Sequence, residues 1–398
     1  MKRSKGSVLV VGGAYRTLQG THYVQKRHWG MLRLFIDHFE DPLLLHESRP
    51  TDETLRHPIP DTTRIQTIAP MAGVRQKLRT LFLRGHGLTK EIKAAVEDSD
   101  VVYLRLPWQP CLPIFEYARS KGKKIITSFH GDWASTYRNK QNTGLNTHLN
   151  NMYARYIDAY QRRIAGHSAI CFFVGQALYD LYGTPGRPHA IFANFLHEDA
   201  DILTTPPPPR QTGPYNVLFV GDLSQRKGVP YLLDAFRQSR QAGQDLHLHF
   251  IGEGALKQKI VSFAEKHALT HALTLHGYVQ HGAALHTLYR AADVLVLPSV
   301  SGEGVPKVLM EAMTQGVPVI STDIGSSRHL LQDGEYGMVV PPANAAALSQ
   351  ALNHLLHHPQ LRARYIEKGL ELARRSTHTH QKARLRDTLL THLPDIVR

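Results

Sequence analysis

Short runs of consecutive apolar residues, each closed by Gly, Pro, Ser or Asp, recur along the chain. In the front half they are VLVVGG at 8–13, DVVYLRLP at 100–107, KIITSFHG at 124–131 and AICFFVG at 169–175. In the rear half they are YNVLFVGD at 215–222, LHLHFIGEG at 246–254, LTLHGYV at 273–279, DVLVLPS at 293–299 and VPVISTD at 317–323. Nearly continuous Val, Ile, Leu and Phe separated by helical patterns predicts parallel strands covered on both faces. The segment TTPPPPRQTGP cannot enter a sheet interior, which puts a boundary near Pro206–Pro209. The expectation is an α/β chain with two Rossmann-like doubly wound domains, 1–205 and 206–377. Leu385, Leu389 and Leu393 share a helical face, predicting a last helix over about 378–398 that is placed to pack back on the front domain.

In doubly wound sheets, ligands sit beyond the carboxyl ends of the strands. Gly12, Gly13, His130, Gly221, Gly252, Gly277, Ser299 and Glu303 fall there by this count. In SGEGVPKVLMEAMTQG, Pro306 suits a first helical position and Gly316 the end, so a helix starts at the loop with its N–H groups exposed. Beside Gly304 and Val305 this makes an anion site. Glu303 and Glu311 flank it, and carboxylates beside a phosphate are tolerable where each addresses hydroxyls of the same ligand. A sugar joined through a diphosphate to a ribose has that layout, while a loop carboxylate and a solvated helix residue is the plainer alternative. Arg226-Lys227-Gly228 precedes another helix with an early proline and is placed to neutralise a diphosphate.

Charge and composition narrow the partners. The 398 residues carry a formal charge of +14, with 27 Lys+Arg against 17 Asp+Glu in 1–200 and 20 against 16 in 201–398. The front half is therefore the side suited to an anion such as lipid headgroups, a diphosphate acceptor or nucleic acid. A non-enzymatic basic binding protein is the alternative class, but no nucleic-acid-binding motif or aromatic-basic interleaving supports nucleic acid as the partner. Arg75, Lys77, Arg79, Arg84 and Lys90 mix with Leu78, Leu81, Phe82 and Leu83 within 73–96, a pattern that suits an element lying on an anionic membrane. No apolar run reaches the length of a membrane span and the start does not read as a signal peptide, so the expected compartment is the cytoplasm, with peripheral contact on the inner membrane face. Cys111 and Cys171 are too few for a disulfide framework. The spacing G-x-G-x-x-G is absent from VLVVGGAYRTLQG, which argues against a dinucleotide site. Asp199-Ala200-Asp201 could hold a metal but lies just before the proline run and not at a strand end, the helix bearing His354, His357 and His358 reads as an exposed polar face, and no metal is expected.

The ordered set GDLSQRKG, IGEGAL, LHGYV and ADVLVLPSVSGEGVPKVLMEAMTQGVPVIST, over roughly 214–345, closely resembles the nucleotide-sugar-binding half of family 4 glycosyltransferases of the GT-B fold, with the E-x7-E motif at Glu303 and Glu311. The front half is similar more loosely, through Gly12 and Gly13 and through His130-Gly131-Asp132, while YLRLPWQPCLPIFEYARSKGKKI resembles bacterial exopolysaccharide and lipopolysaccharide enzymes. The resemblance implies two domains facing across a cleft and a retaining, metal-independent transfer from a UDP- or GDP-sugar, with no cofactor, to a glycan or polyprenyl-diphosphate-linked acceptor. A small-molecule acceptor is the alternative within the same chemistry. It implies that Lys227 and Arg226 bind the diphosphate with the amides of Gly304 and Val305, and that Glu303 meets the transferred sugar. It further implies that Glu311 holds the ribose, that Gly277, Tyr278 and Val279 meet the base, that Gly13, Gly221, Gly252, Ser299 and Pro306 complete the donor site, and that His130 reaches the reacting sugar. Many relatives have Arg directly after the first-motif Gly, where this chain has Asp222, and Arg226 is expected to compensate.

Overall fold

A computed structural model describes residues 7–18, 21–24, 26–39, 41–50, 57–59, 64–68, 88–138, 145–206, 208–301 and 304–395. Contacts divide the chain into two compact units, residues 1–196 with 379–398, and residues 197–378. The proline-rich segment thus lies inside the second unit, and the expected boundary at 205/206 moves to 196/197. The reason is local packing: the Leu203 amide donates to the Thr314 carbonyl at 2.7 Å, and Gln315 Nε2 donates to the Asp201 carbonyl at 2.8 Å. Residues ahead of the prolines are therefore already fastened to the second unit's helices.

In the first unit, β1 (Ser7–Leu18) pairs in parallel with β3 (Asp41–Pro50) and with β6 (Val101–Leu106). Beyond β3 lies β5 (Arg64–Ile68), and beyond β6 come β7 (Lys124–Phe129), β8 (Ile170–Val174) and β9 (His189–Phe192), all parallel. Of two short strands, β2 (Thr21–Val24) adds antiparallel to the far end of β1 and β4 (His57–Pro58) adds antiparallel to β2. The described helices are α1 (Lys26–Ile36), α2 (Lys90–Asp98), α3 (Cys111–Ser120), α4 (Trp133–Arg138), α5 (Leu145–His167) and α6 (Gln176–Tyr182). Strand β1 corrects one expectation: it does not end at Gly13 but continues to Leu18, with a register shift between Val11 and Ala14. An irregularity of this kind re-aims a strand without ending its pairing, so Gly12 and Gly13 sit within β1 and not in a loop after it. Of the basic segment 73–96, residues 73–87 lie outside the described residues. The remainder caps and opens α2, whose Thr89 accepts the Ile92 amide at 3.4 Å while Ile92, Ala95 and Val96 are buried.

The second unit is wholly parallel, in the order β12-β11-β10-β13-β14-β15. These strands are β10 (Tyr215–Val220), β11 (Leu246–Ile251), β12 (Leu273–Leu275), β13 (Val294–Leu297), β14 (Val319–Thr322) and β15 (Met338–Val340). This is the mononucleotide-binding order of two βαβαβ halves, which reverses direction between β10 and β13. The expected strand at 273–279 is shorter, because after His276 bonds to Phe250 the backbone turns at Gly277. Helices α7 (Val229–Gln241), α8 (Lys257–Lys266), α9 (Ala283–Arg290), α10 (Lys307–Thr314), α11 (Ser327–Leu330), α12 (Ala345–His357) and α13 (Pro359–Arg375) fill the connections. One core cluster joins β10, β11 and β13 to α7 and α12 through Val217, Phe219, Leu232, Phe236 and Leu352, and a second joins the opposite sheet face to α9 and α10.

The last helix, α14 (His378–His392), belongs to the first unit apart from its first residue. Leu385, Leu389 and Leu393 are buried, and Gln381 accepts the Ala193 amide at 2.9 Å. No helix among the described residues is long and apolar enough to cross a membrane.

Candidate donor-binding site

The site in the second unit is built where β10, β11 and β13 end. After β10 the chain passes Gly221, Asp222 and Leu223 and reaches Gly228, which caps α7 with φ of 72°. A Cβ on Gly228 would lie 1.8 Å from the Pro298 carbonyl oxygen, so only glycine lets this turn rest on the loop after β13. On Gly252, after β11, a Cβ would lie 1.9 Å from the Gly221 carbonyl oxygen. The three loops are thus packed backbone against backbone. Hydrogen bonds fasten them: Gly221 to Ile251 (2.9 Å), Leu223 to Glu253 (2.9 Å), Gly252 to Gly277 (2.8 Å) and Val300 to Arg226 (2.9 Å), amide to carbonyl in each case.

On this floor Lys227 is half-buried, and its Cε would lie 3.8 Å from a Cβ at Gly221, so the stem runs alongside the end of β10. Arg226 is exposed, and its guanidinium reaches toward the Ser301 carbonyl at 3.5 Å. Asp222 is exposed at the same strand end. Ser299 is fully buried, and its carbonyl accepts the Thr322 hydroxyl at 2.5 Å. The Gly304 carbonyl accepts the Ser326 amide at 3.0 Å. Pro306 stands at the N-cap of α10 and not at its first helical position, a shift of one residue that keeps the role of a proline whose missing N–H costs nothing there. Val305 is half-buried beside it. At the other end of α10 the Gly316 and Val317 amides return to the Met313 and Ala312 carbonyls at 3.1 and 3.0 Å, closing the helix as a Schellman turn.

Glu311 lies within α10, half-buried, and its Oε2 accepts the Tyr289 hydroxyl at 3.0 Å. Glu303, expected to grip the transferred sugar, lies outside the described residues. Tyr278 is 74% exposed while its neighbour Val279 packs against the α9–α10 core, so the Gly277–Val279 turn presents one aromatic side chain outward. The sequence reading missed Tyr289. Its spacing of four from Leu285 marks a core position, and nothing in the pattern shows which polar group its hydroxyl meets.

In the first unit His130 follows β7. Its amide donates to the Leu106 carbonyl at 2.8 Å, and its Nε2 lies 3.0 Å from Ser128 Oγ, which lies 2.6 Å from the Tyr103 hydroxyl. Ser128 and Tyr103 are buried, so a polar chain reaches from inside the sheet to the imidazole. Neither residue was singled out from sequence, where Ser128 in KIITSFHG reads only as a strand position. Asp132 Oδ1 accepts the Ser135 amide at 3.1 Å and the Tyr182 hydroxyl at 2.7 Å, fixing the turn after His130. Gly12, Gly13 and His130 thus belong to one unit, and the remaining described site residues to the other.

Other chemistry is accounted for by structure. The carboxylate of Asp201 accepts the Glu198 amide at 2.9 Å in a capped 3-10 turn, which gives the D-x-D pattern a structural role. The rings of His354 and His358 lie 4.2 Å apart and tilted, with His358 Nδ1 2.6 Å from the His354 carbonyl oxygen. Among the described residues no group of three His, Cys, Asp or Glu could hold a metal ion. Burial pushes both thiols up, Cys171 to about 12, which keeps them protonated and unreactive.

Residues 205–372 match the model of the family described as glycosyl transferases group 1. That stretch lies within the second unit. The phosphatidyl-myo-inositol mannosyltransferase of Mycobacterium leprae (strain TN) is 28% identical to the chain over 281 residues, covering 70% of each, so the likeness reaches past the family-matched stretch into the first unit. WcaL of Escherichia coli (strain K12), a candidate colanic acid biosynthesis glycosyltransferase by its description, is 31% identical over 144 residues, 35% of each chain. Among solved structures, the apo form of the lipopolysaccharide outer core galactosyltransferase WaaB superposes with a TM-score of 0.70 at 15% identity, covering 97% of this chain and 100% of the other. That likeness places the chain in the GT-B fold.

Proposed function

We propose that the protein transfers a sugar from a UDP- or GDP-sugar to a glycan or polyprenyl-diphosphate-linked acceptor, with retention at the anomeric carbon, as the family 4 resemblance implies. The observation that carries this is the floor described above: Lys227 and Arg226 at the strand order's reversal, next to a loop that feeds the amino end of α10, with Glu311 further along the same helix. Amide groups and cations at this place suit a diphosphate, and a carboxylate inside the helix suits the ribose.

As the bond from the anomeric carbon to the diphosphate breaks, negative charge gathers on the leaving phosphate. Lys227 and the α10 amides stabilise that charge more than the ground state, which is how such a site accelerates transfer. No metal enters this account, since the charge is met by side chains and a helix end. By the same resemblance His130 reaches the reacting sugar, and within the first unit its ring is oriented by Ser128 and Tyr103.

The role is in building cell-surface polysaccharide or glycolipid. This is supported by the mannosyltransferase and WcaL descriptions and by the basic front half, which suits a diphosphate-bearing acceptor at the inner face of the cytoplasmic membrane. The test is thermal shift with UDP-, GDP- and ADP-sugars followed by hydrolysis without acceptor. A ligand at about 100 times its Kd adds about 2.7 kcal/mol of stability. No shift and no hydrolysis with any of the three would overturn the reading.

A further inference from the structure

We infer that Tyr289 is a positioning residue for donor binding, holding the Glu311 carboxylate in the place where it receives the ribose hydroxyls of a nucleoside diphosphate. This deepens the donor-site reading above and rests on it.

Tyr289 is 0% exposed, near the end of α9, and its ring is packed in the cluster that includes Leu285, Leu309, Ala312 and Met313. A ring locked on all sides carries its hydroxyl to one place, since only two side-chain torsions lead to it. That hydroxyl donates to Glu311 Oε2 at 3.0 Å. A second bond ties the same two helices: Arg290 Nε donates to Gln315 Oε1 at 2.9 Å, and Gln315 lies one turn beyond Glu311. Neighbouring residues of α9 thus hold two side chains on one flank of the α10 segment, which fixes the register between the helices.

A glutamate on a helix otherwise has three free torsions, and ordering such a side chain costs about 1.5–2 kcal/mol. Tyr289 removes that cost before the ligand arrives, which is preorganisation. The carboxylate has about four lone-pair sites, so a bond from the tyrosine still lets ribose hydroxyls donate to it. A tyrosine serving only the core would need no hydroxyl, and phenylalanine would fill the same volume.

The decisive measurement is calorimetric binding of UDP, GDP and inorganic pyrophosphate to wild type, Tyr289→Phe and Glu311→Ala, with UDP and GDP also tested as their 2′,3′-dideoxy forms. Tyr289→Phe should weaken the better ribonucleotide about tenfold, the scale of one charge-assisted hydrogen bond, and leave pyrophosphate within about twofold. The preference for ribose over dideoxyribose should shrink with it. In turnover, donor KM should rise about tenfold with kcat within about twofold of wild type. The double variant with Glu311→Ala should bind no more weakly than Glu311→Ala alone, since the tyrosine acts through the carboxylate. Tyr289→Met, smaller but flexible enough to fill much of the space and without the hydroxyl, should repeat these results should Tyr289→Phe fail to fold. An unchanged ribose preference in a folded Tyr289 variant, or an equal loss for pyrophosphate, overturns the inference while the donor site stands. Failure of wild type to bind either UDP or GDP overturns both.

Discussion

The two units hold their candidate site residues by different means. In the second, loops after β10, β11 and β13 touch through backbone atoms, and glycines at 228 and 252 are there because no side chain fits between them. In the first, His130 is held by side chains, through Ser128 to Tyr103 inside the sheet. A backbone-built floor leaves its mark in the sequence as glycines at strand ends. A side-chain relay leaves almost none, since serine and tyrosine in a strand are ordinary.

The contrast can be broken in order of expected effect. Lys227→Ala should lower turnover by a factor of about 100 to 1,000, or about 3–4 kcal/mol, because it removes a charge aimed at the leaving diphosphate. Near-native turnover in a folded variant would take the lysine out of the site. Gly228→Ala should cost about 2–3 kcal/mol of stability through its positive φ and the clash with Pro298, measurable by urea unfolding, with donor binding lost in parallel. Should it unfold like wild type, the backbone-built floor is not as described. Ser128→Ala should lower kcat roughly tenfold with donor affinity unchanged, a loss of about 1.4 kcal/mol in orienting His130. An equal loss of donor affinity would contradict the division of labour between the units.

A smaller effect comes from pH. Burial, then His247 and His276, depress His249 to about 4, while its Nδ1 lies 3.1 Å from His276 Nε2. A histidine unfolds to an ordinary value near 6.5, so between about pH 6.5 and 4 the unfolded state binds more protons than the folded one. Stability from this group is present above pH 6.5 and is lost as pH falls toward 4. With the ring only half shielded from solvent, about 1 kcal/mol should disappear over that window. His249→Asn should flatten the pH dependence of unfolding, and an unchanged profile would count against the cluster. The smallest change should come from Asp222→Arg, which replaces the exposed carboxylate at this strand end with the arginine that the family 4 resemblance implies there. Donor affinity should rise about two- to threefold, the scale of one exposed charge, and fall with added salt.

Legibility in the sequence followed the same divide. The strands of the second unit were readable except β15, whose MVV is too short to stand out, and the site glycines came with them. In the first unit β2, β3, β4, β5 and β9 went unread. LLLHES and RIQTI mix polar and apolar residues without a clean period, and their strand character comes from the neighbours they pair with. The end of β1 was misplaced for a related reason, as a glycine pair reads as a stop whereas here it marks an irregularity inside a longer strand. The proline run likewise reads as a boundary, although residues before it are already bound to the second unit.

The sequence by itself determined the class of fold and the glycines of the strand-end loops, because burial on both faces of a parallel sheet demands continuous apolar runs and loops packed backbone against backbone demand glycine. Tertiary structure alone decided what the side chains of Glu311 and His130 meet and where the chain divides. Those outcomes depend on residues far apart in the chain, such as Tyr289 with Glu311 and Gln381 with Ala193, arriving within hydrogen-bonding distance, and no local pattern encodes that meeting.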